Sequence, residues 1–448
     1  MNQVSIIGAG ASGCMLACCL AELGVTGIHV YEKSDRILRK VAATGNGRCN
    51  FTNEFIHASY YTGENTGFVE SVLSDFGAKE AKELFRRMGL LSRTLESGMV
   101  YPHTMLARTL CQVLENSLHH QKEITVHTET PIVRLERERT AGPYTLVDEK
   151  GNRCESTHVV LATGGAYGIG KDERSQGYSL ATSLGHTLTR LHPGIVALKV
   201  KESEICRRLQ GLRQQVMLTV LDEKQESKIK KEGFLTGMGT PSTRELEKLQ
   251  FSGEVLFTDY GLSGLAVLKA SNVCLDYLQQ GKACSLAIDC YPSVKRHELR
   301  RFLRGLKTIR AEWSVKDALA GVLPEALMEE ILQYLEISPE TRMYRLKDED
   351  FEAISRCIKH LCFHVTGAKK KDHGQVTCGG IRVEEIDAST LESRLRKNLF
   401  FIGEIMDVQG ICGGYNLHWA WASAYRLSKV LCRRISGGRK GCFVSNEN

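Results

Sequence analysis

No apolar run in this chain approaches the ~18 to 20 residues that a membrane span needs, and the strand-like stretch at Val4 follows no basic leader and no cleavage site. These absences predict a cytoplasmic protein with no membrane partner. There is no CxxC pair among the 16 cysteines, which are scattered over 448 residues rather than set out as the framework of a short secreted domain. Most are expected to be reduced, buried small hydrophobes. Cys357, His360, Cys362 and His364 are packed more tightly than paired zinc knuckles, and Cys357 and Cys362 fall where an amphipathic helix (Phe351, Ile354, Ile358, Leu361) runs into a strand. Neither a metal nor a redox pair is expected there.

Strong charge imbalance is missing as well. The formal charge of +7 is modest for the length, and no aromatics interleave with Lys228, Lys230 and Lys231 or with Lys369 to Lys371, so no nucleic-acid partner is expected. Long repeats and low-complexity tracts are absent. What remains, 42% hydrophobic and 25% charged, is ordinary for a globular protein of two or three domains.

Chemistry enters at residue 4. VSIIGAGASG is a short apolar run followed by Gly8, Gly10 and Gly13 in G-x-G-x-x-G spacing, and CMLACCLAELG then continues with helical periodicity. In a strand-turn-helix unit Gly8 permits the sharp turn, Gly10 lets backbone approach a pyrophosphate, and Gly13 with Ala17 lets helix and strand pack closely. The free amides and positive dipole of the helix N-terminus complete an anion site. A second strand, IHVYEK, ends at Glu32, nineteen residues after Gly13, where a carboxylate accepts from ribose hydroxyls. An acid here disfavours a 2′-phosphate and so NADP; NAD and FAD both stay open.

Two later segments converge on the same kind of ligand. Residues 124 to 165 read as a small meander whose last strand, Val159 to Leu161, runs into Ala162-Thr163-Gly164-Gly165. Near the C-terminus a strand (Leu399 to Ile402), a turn with Glu404 and Asp407, and a loop with Gly410, Gly413 and Gly414 lead into a long helix opening at Asn416, which is placed to cap it. Trp419 and Trp421 are read as helix packing. A carboxylate for the ribityl or phosphate end and a positive helix terminus for the C2 carbonyl region suit a flavin. No second strand-GxGxxG-helix unit occurs, and Gly168-x-Gly170 reads as a loop. One long dinucleotide touched from both ends of the chain explains this layout better than a separate nicotinamide domain.

Between these ends, residues 191 to 292 read as strands (Val216, Leu218 and Val220 alternate), and residues 293 to 359 switch to helical period. Leu299, Phe302, Leu303 and Leu306 form one stripe, Leu327, Ile331, Tyr334 and Leu335 another, and Ser314 with Asp317 a capping box. The expected organisation is a cofactor domain from 1–190 and 376–435, a β-rich insertion from 191–292 and 360–375, a helical insertion from 293–359, and a tail from 436–448. A domain cleft is the expected place for the active site.

The loop Ala43 to Asn53, ATGNGRCNFTN, is too polar for a core and too glycine-rich for a helix. With GAGASG, KVAATGNGRCNFTN, VLATGGAYG, GEVLFTDYGLSG, QVTCGGI and GEIMDVQGICGGYNLHWAWAS in this order, the chain resembles the BaiN-like flavoproteins, also called the aminoacetone-oxidase-like family, over nearly its whole length. The resemblance implies an α/β fold: a Rossmann-type, glutathione-reductase-like FAD domain with an inserted β-barrel-like domain and a helical insertion. It places Gly8, Gly10, Ala11, Ser12 and Gly13 at the pyrophosphate, Glu32 and Lys33 at the adenosine ribose, and the Val133 backbone at adenine. Lys40, Thr44, Gly45, Asn46, Gly47, Arg48, Cys49 and Asn50 would line the flavin side, with Ala162, Thr163 and Gly164 nearby. Gly403, Glu404 and Asp407 would serve the ribityl and phosphate, and Gly413, Gly414, Tyr415 and Asn416 the isoalloxazine. Leu38, Leu265, Cys412 and Ala424 depart from the usual glycine, proline, Thr or Ser, and glycine of the family.

The activity implied is hydride transfer through flavin N5, in an NAD(P)H-dependent reductase of an activated C=C or carbonyl-type small molecule. Tyr415, His418 and Cys49 are candidates for its proton source. Alternatives are an aminoacetone-type amine oxidase using O2, an FAD-dependent tRNA-modifying enzyme, and a non-enzymatic flavin redox sensor. A monomer or homodimer is expected.

Overall fold

The computed structural model describes residues 2–62, 65–137, 142–168, 176–232, 249–369 and 374–437. Gly170 to Arg174, Lys370, Lys371 and the tail from 438 lie outside these, as do the side chains of Asn46, Lys228, Lys230 and Lys231. The chain divides into two compact units, residues 1–194 with 372–448, and residues 195–371.

The first unit is built on a seven-stranded sheet. Its opening strand, Asn2–Ile7, pairs in parallel with Ile28–Tyr31 on one side and Arg153–Leu161 on the other. A strand with parallel neighbours at both edges is covered on both faces, which is why Val4, Ile6 and Ile7 are all buried, and Ser5 between them as well. Arg153–Leu161 is long enough to serve two partners. Arg153 to Ser156 pair antiparallel with Tyr144–Asp148, and Val159 to Leu161 pair in parallel with the C-terminal strand Leu399–Phe401. The two ends of the sequence thus meet in one sheet.

Ile124–His127 is not the first strand of a meander. It lies parallel to Ile28–Tyr31 at the sheet edge, and the antiparallel meander is Ile132–Glu136, Tyr144–Asp148 and Arg153–Leu161. Alternation identifies a strand without naming its partner; the helix Ala107–His119 just before it supplies the crossover that parallel pairing demands. The last helix, Tyr415–Ile435, packs along the opening helix, Ala11–Glu22, and buries Trp419, Trp421, Ala422 and Ala424.

The second unit contains a closed barrel of Leu198–Val200, Gly261–Ser263, Gln250–Thr258, Arg213–Asp222, Cys284–Asp289 and Leu361–Ala368. Val216, Leu218 and Val220 point into its core with Val255, Phe257, Leu286, Ile288 and Phe363. A helix, Leu265–Gln279, interrupts the stretch expected to be strands only. Leu265 is its first residue, a position proline also favours. The helical insertion comprises Arg296–Ile309, Val315–Leu319, Glu325–Tyr334 and Asp348–Lys359. Ser314 caps the second of these through the Asp317 amide at 3.1 Å. Leu299, Leu303, Leu327 and Ile331 are core, whereas Phe302 and Tyr334, expected on the same stripes, are 55% and 73% exposed. At about 100° per residue, Phe302 falls about 60° beyond Leu299 and Tyr334 about 20° beyond Leu327, each at the outer edge of the buried arc of its helix.

Leu218 has no exposed surface. Leu218→Ala should therefore cost about 2 to 5 kcal/mol of stability, read by chemical denaturation, through lost burial and the cavity left behind.

Candidate cofactor site

Each glycine of the first turn has its own reason. Gly8 has φ +108°, and a Cβ there would lie 2.5 Å from the Ala162 carbonyl oxygen; one on Gly13 would lie 1.9 Å from the Gly8 oxygen. Both positions are closed by the chain itself. A Cβ on Gly10 would meet nothing within 4 Å, although Gly10 is the N-cap of the opening helix, where no side chain satisfies the first-turn amides. Bare glycine facing open space beside unsatisfied amides fits a phosphate-bearing ligand approaching backbone.

Glu32 stands at the tip of the second strand. Its carboxylate accepts from the Ala9 amide at 2.9 Å and from the Ser34 amide at 2.9 Å, which orients it and leaves lone pairs for hydroxyl donors. Lys33 follows, exposed. Val133 is the extra residue of a bulge between Ile132 and Arg134, a local break in the ladder that re-aims backbone groups. These features match what an adenosine end requires.

The loop Ala43 to Asn53 clasps the last helix. Trp421 Nε1 donates to the Phe51 carbonyl at 2.9 Å, Thr52 Oγ1 and His418 Nδ1 are 2.8 Å apart, and Asn53 Nδ2 donates to the Gly413 carbonyl at 2.9 Å. Asn50 Oδ1 accepts from the Val100 amide at 3.2 Å and lies 2.7 Å from where a Gly414 Cβ would sit. Much of the loop's polarity therefore holds protein. Thr44, Gly45, Asn46 and Gly47 form a 3-10 turn, Arg48 is exposed, and Cys49 is fully buried at φ +57°.

The last helix opens at Tyr415 with Gly414 as its cap residue in the left-handed region, not at Asn416. Asn416 turns back instead to bracket Gly410, accepting from its amide at 2.8 Å and donating to its carbonyl at 2.7 Å. Gly413 and Gly414 are thus pinned from both sides.

Glu404 gathers three further segments. It pairs with Lys40 at 2.7 Å and accepts from the Thr377 amide at 2.8 Å and the Gly165 amide at 3.3 Å. Lys40 also donates to the Tyr167 carbonyl at 3.0 Å. Gly403, at φ +75°, donates to Ser423 Oγ and accepts from Trp419 Nε1. Asp407 is buried and accepts from Gln409 Nε2 at 2.9 Å. Ala162 donates its amide to the Ile7 carbonyl, Thr163 lies against Gly177, and Gly164, at φ +70°, faces Glu404. Thr377, Asn53 and Ser423 join the site beyond the residues the sequence predicts; Thr377 sits in the QVTCGGI motif and Asn53 in the loop, but nothing in the pattern marks Ser423.

The three proton-source candidates separate clearly. Burial pushes the Cys49 thiol up to about 12, so it carries no thiolate near neutrality. His418 is fully buried between Thr52 and the Phe76 carbonyl, and burial pushes its imidazole down to about 4. It is a neutral brace. Tyr415, pushed up to about 12 by burial and then by Tyr60, places its ring 3.4 Å from where a Gly413 Cβ would lie.

Two outcomes follow from this geometry. Gly10→Ala should leave the apoprotein's stability within about 1 kcal/mol, because nothing stands in the way, while weakening FAD binding at least roughly tenfold by flavin fluorescence titration; Gly13→Ala should disrupt the turn itself. For His418, the unfolded chain takes up its proton below about pH 6.5 and the folded chain only near 4. Its contribution is intact above pH 6.5 and is lost as pH falls toward 4, by about 3 kcal/mol in all. Urea unfolding at several pH values should show that His418→Gln removes this part of the acid dependence.

A family model described as HI0933-like protein Rossmann domain matches residues 2–430. The 3-dehydro-bile acid delta(4,6)-reductase of Clostridium scindens is 32% identical over 435 residues, covering 97% of this chain and all of that protein. The ribosomal RNA dihydrouridine synthase of Escherichia coli is 28% identical over 427 residues, covering 95% of this chain and 97% of that one. Among solved structures, 3-ketosteroid delta1-dehydrogenase from Sterolibacterium denitrificans aligns with a TM-score of 0.49 at 12% identity, covering 96% of this chain and 99% of that one. With the glycine turn, Glu32 and the clasped glycine loop all in the Rossmann unit that the family model spans, the chain belongs to the HI0933-like family and is an FAD-dependent oxidoreductase.

Proposed function

We propose that the protein reduces a C=C bond conjugated to a carbonyl in a small apolar molecule, with NAD(P)H as reductant. The observation that carries this reading is the state of the groups around the Gly413–Gly414 loop. Cys49 and Tyr415 keep their protons at neutral pH, and His418 is neutral with both ring nitrogens engaged. Of the three, Tyr415 is left as the group with a proton to give, and none is equipped to take one, which suits the acid-assisted half of an enone reduction better than amine oxidation.

When bound, FAD supplies hydride at N5. The protein's own residues do the rest. The amides that open the last helix at Gly414 and Tyr415 favour negative charge beside them, and the Asn53 and Asn416 hydrogen bonds hold that opening in place. The Tyr415 hydroxyl holds the proton that the carbon next to the carbonyl requires. His418 fixes Thr52 and so the clasp.

The names of the two relatives support the reaction class more broadly than any one substrate, since a delta(4,6)-reductase and a dihydrouridine synthase each saturate a C=C. A second reading, uridine in RNA as the acceptor, is favoured by the 28% identity to the ribosomal RNA enzyme over nearly the whole chain. Stopped-flow reduction by NADH and by NADPH, followed by reoxidation with steroid-like enones, uridine-containing RNA, or amines under O2, separates these. Reoxidation by an enone is expected; dihydrouridine formed in RNA with no enone turnover would replace the first reading by the second, and amine-dependent O2 uptake would overturn both. Tyr415→Phe should slow reoxidation by enone roughly 10² to 10⁴-fold while leaving reduction by NAD(P)H unchanged.

A further inference from the structure

The helical insertion carries a patch that the reaction does not use. Phe302, Ile309, Trp313 and Tyr344 are 55%, 79%, 49% and 45% exposed. Phe302 and Ile309 lie seven residues apart on the helix Arg296–Ile309, and so on one stripe, outside the arc buried by Leu299 and Leu303. At the end of that helix the chain turns, with Trp313 N donating to the Arg310 carbonyl at 3.0 Å. Met343 N donates to the Trp313 carbonyl at 3.0 Å and Tyr344 N to that of Ala311 at 3.1 Å, which lays Tyr344 alongside the turn.

Four arginines lie in the same segments: Arg301 next to Phe302 on the helix, and Arg310, Arg342 and Arg345 at the turn and beside Tyr344. Arg310 sits 4.5 Å over the Trp313 ring and donates to the Ala318 carbonyl; Arg342 donates to the Glu312 carbonyl at 2.7 Å, and Arg345 to the Tyr344 hydroxyl at 3.3 Å. Among the described residues none of the four has a carboxylate partner. The contrast is with Arg296, Arg300 and Arg304 of the same helix, where Glu352 pairs with the first two and Asp348 with the third. Glu312 is the acid within the turn itself, and it leaves an excess of positive charge around an apolar centre.

We propose that this end of the helical insertion docks peripherally on the surface of an anionic lipid bilayer. Projecting Phe and Ile side chains, amphipathic Trp and Tyr rings, and arginines free of acidic partners are what the headgroup and acyl boundary accepts. A nucleic acid would use the same charge but needs open aromatic faces for its bases. Here one face of Trp313 is covered by Arg310, and the most exposed group, Ile309, has no π-face. The docking is independent of the substrate proposed above.

The molecule carries its own reporter. It has 3 tryptophans, and Trp419 and Trp421 are 1% and 0% exposed, so acyl-chain quenching reads Trp313. The FAD-loaded full chain should co-sediment with vesicles of phosphatidylcholine and phosphatidylglycerol but not of phosphatidylcholine alone, with brominated acyl chains quenching its tryptophan emission and salt reversing the binding. Replacing Arg301, Arg342 and Arg345 together by Gln should lower partitioning roughly a hundredfold. Phe302→Ser with Ile309→Ser should abolish the quenching, while flavin absorbance and the thermal transition stay unchanged. Absence of sedimentation with the anionic vesicles overturns the proposal. So does tight, arginine-dependent binding of single-stranded RNA with no bromine quenching, which would assign the patch to nucleic acid, or a dimer in sedimentation velocity that the two serine substitutions dissolve.

Discussion

The cofactor unit depends on one clasp. Asn53 and Gly413, 360 residues apart, are joined by a single hydrogen bond, and the neighbouring Phe51–Trp421 and Thr52–His418 contacts extend it along the last helix. Closing so long a loop costs entropy that grows only as the logarithm of its length, so a few buried hydrogen bonds with apolar packing behind them are enough to hold it. The Phe51–Trp421 and Thr52–His418 contacts are sheltered, since all four residues are fully buried, while the Asn53–Gly413 bond is part-buried. In that low-dielectric setting, losing one partner would strand the other, and this gives the loop its rigidity. A glycine-rich loop can present backbone closely to a ligand only if something else prevents it from wandering.

The same logic sorts the backbone around it. Gly8, Gly13 and Gly414 are glycine because protein atoms already occupy the Cβ position, whereas Gly10 is glycine beside empty space. Leu38 shows the opposite compromise. It holds φ +57° where a glycine would be relaxed, at a cost of about 1 to 2 kcal/mol, yet it is 2% exposed, and burying a leucine side chain returns about 1.5 to 3 kcal/mol. Burial offsets the strain, so the departure from the family pattern leaves the turn intact. Ala424, fully buried in the last helix, likewise adds a methyl group that the site tolerates.

Local patterns were legible where local physics decides. The strand-turn-helix at Gly8 to Gly13, the alternation of Val216, Leu218 and Val220, and the Ser314 cap each follow from contacts a few residues away. Partners chosen across the fold were not. Ile124–His127 reads as a strand on any pattern, but its parallel neighbour is set by the crossover helix before it. Phe302 and Tyr334 satisfy a helical stripe on paper and fall at the edge of the buried arc, since an arc of about 100° does not hold every apolar residue near it. Asn416 has the chemistry of a cap, but Gly414 takes that place and Asn416 is free to bracket Gly410. Composition showed that the loop at Ala43 to Asn53 is polar; only the fold shows that Asn50 and Asn53 direct that polarity at the protein.

Cys49 lies at the centre of this loop and combines three conditions that seldom coincide: a left-handed backbone, complete burial and a thiol pushed up to about 12. Strain of this kind persists only where surrounding structure over-determines it, and here the Cys49 amide donates to the Thr44 carbonyl at 3.2 Å on one side while the clasp begins at Phe51 on the other. A thiol so deprived of water is a poor nucleophile and a poor acid near neutrality. A small side chain of low polarity, able to fill the space under the 3-10 turn without asking for a strong hydrogen-bond partner, is what the position requires. In the reading proposed above, proton donation is then left to Tyr415, itself buried where it borders the Gly413–Gly414 loop, and the Cys49 thiol serves the shape of the loop.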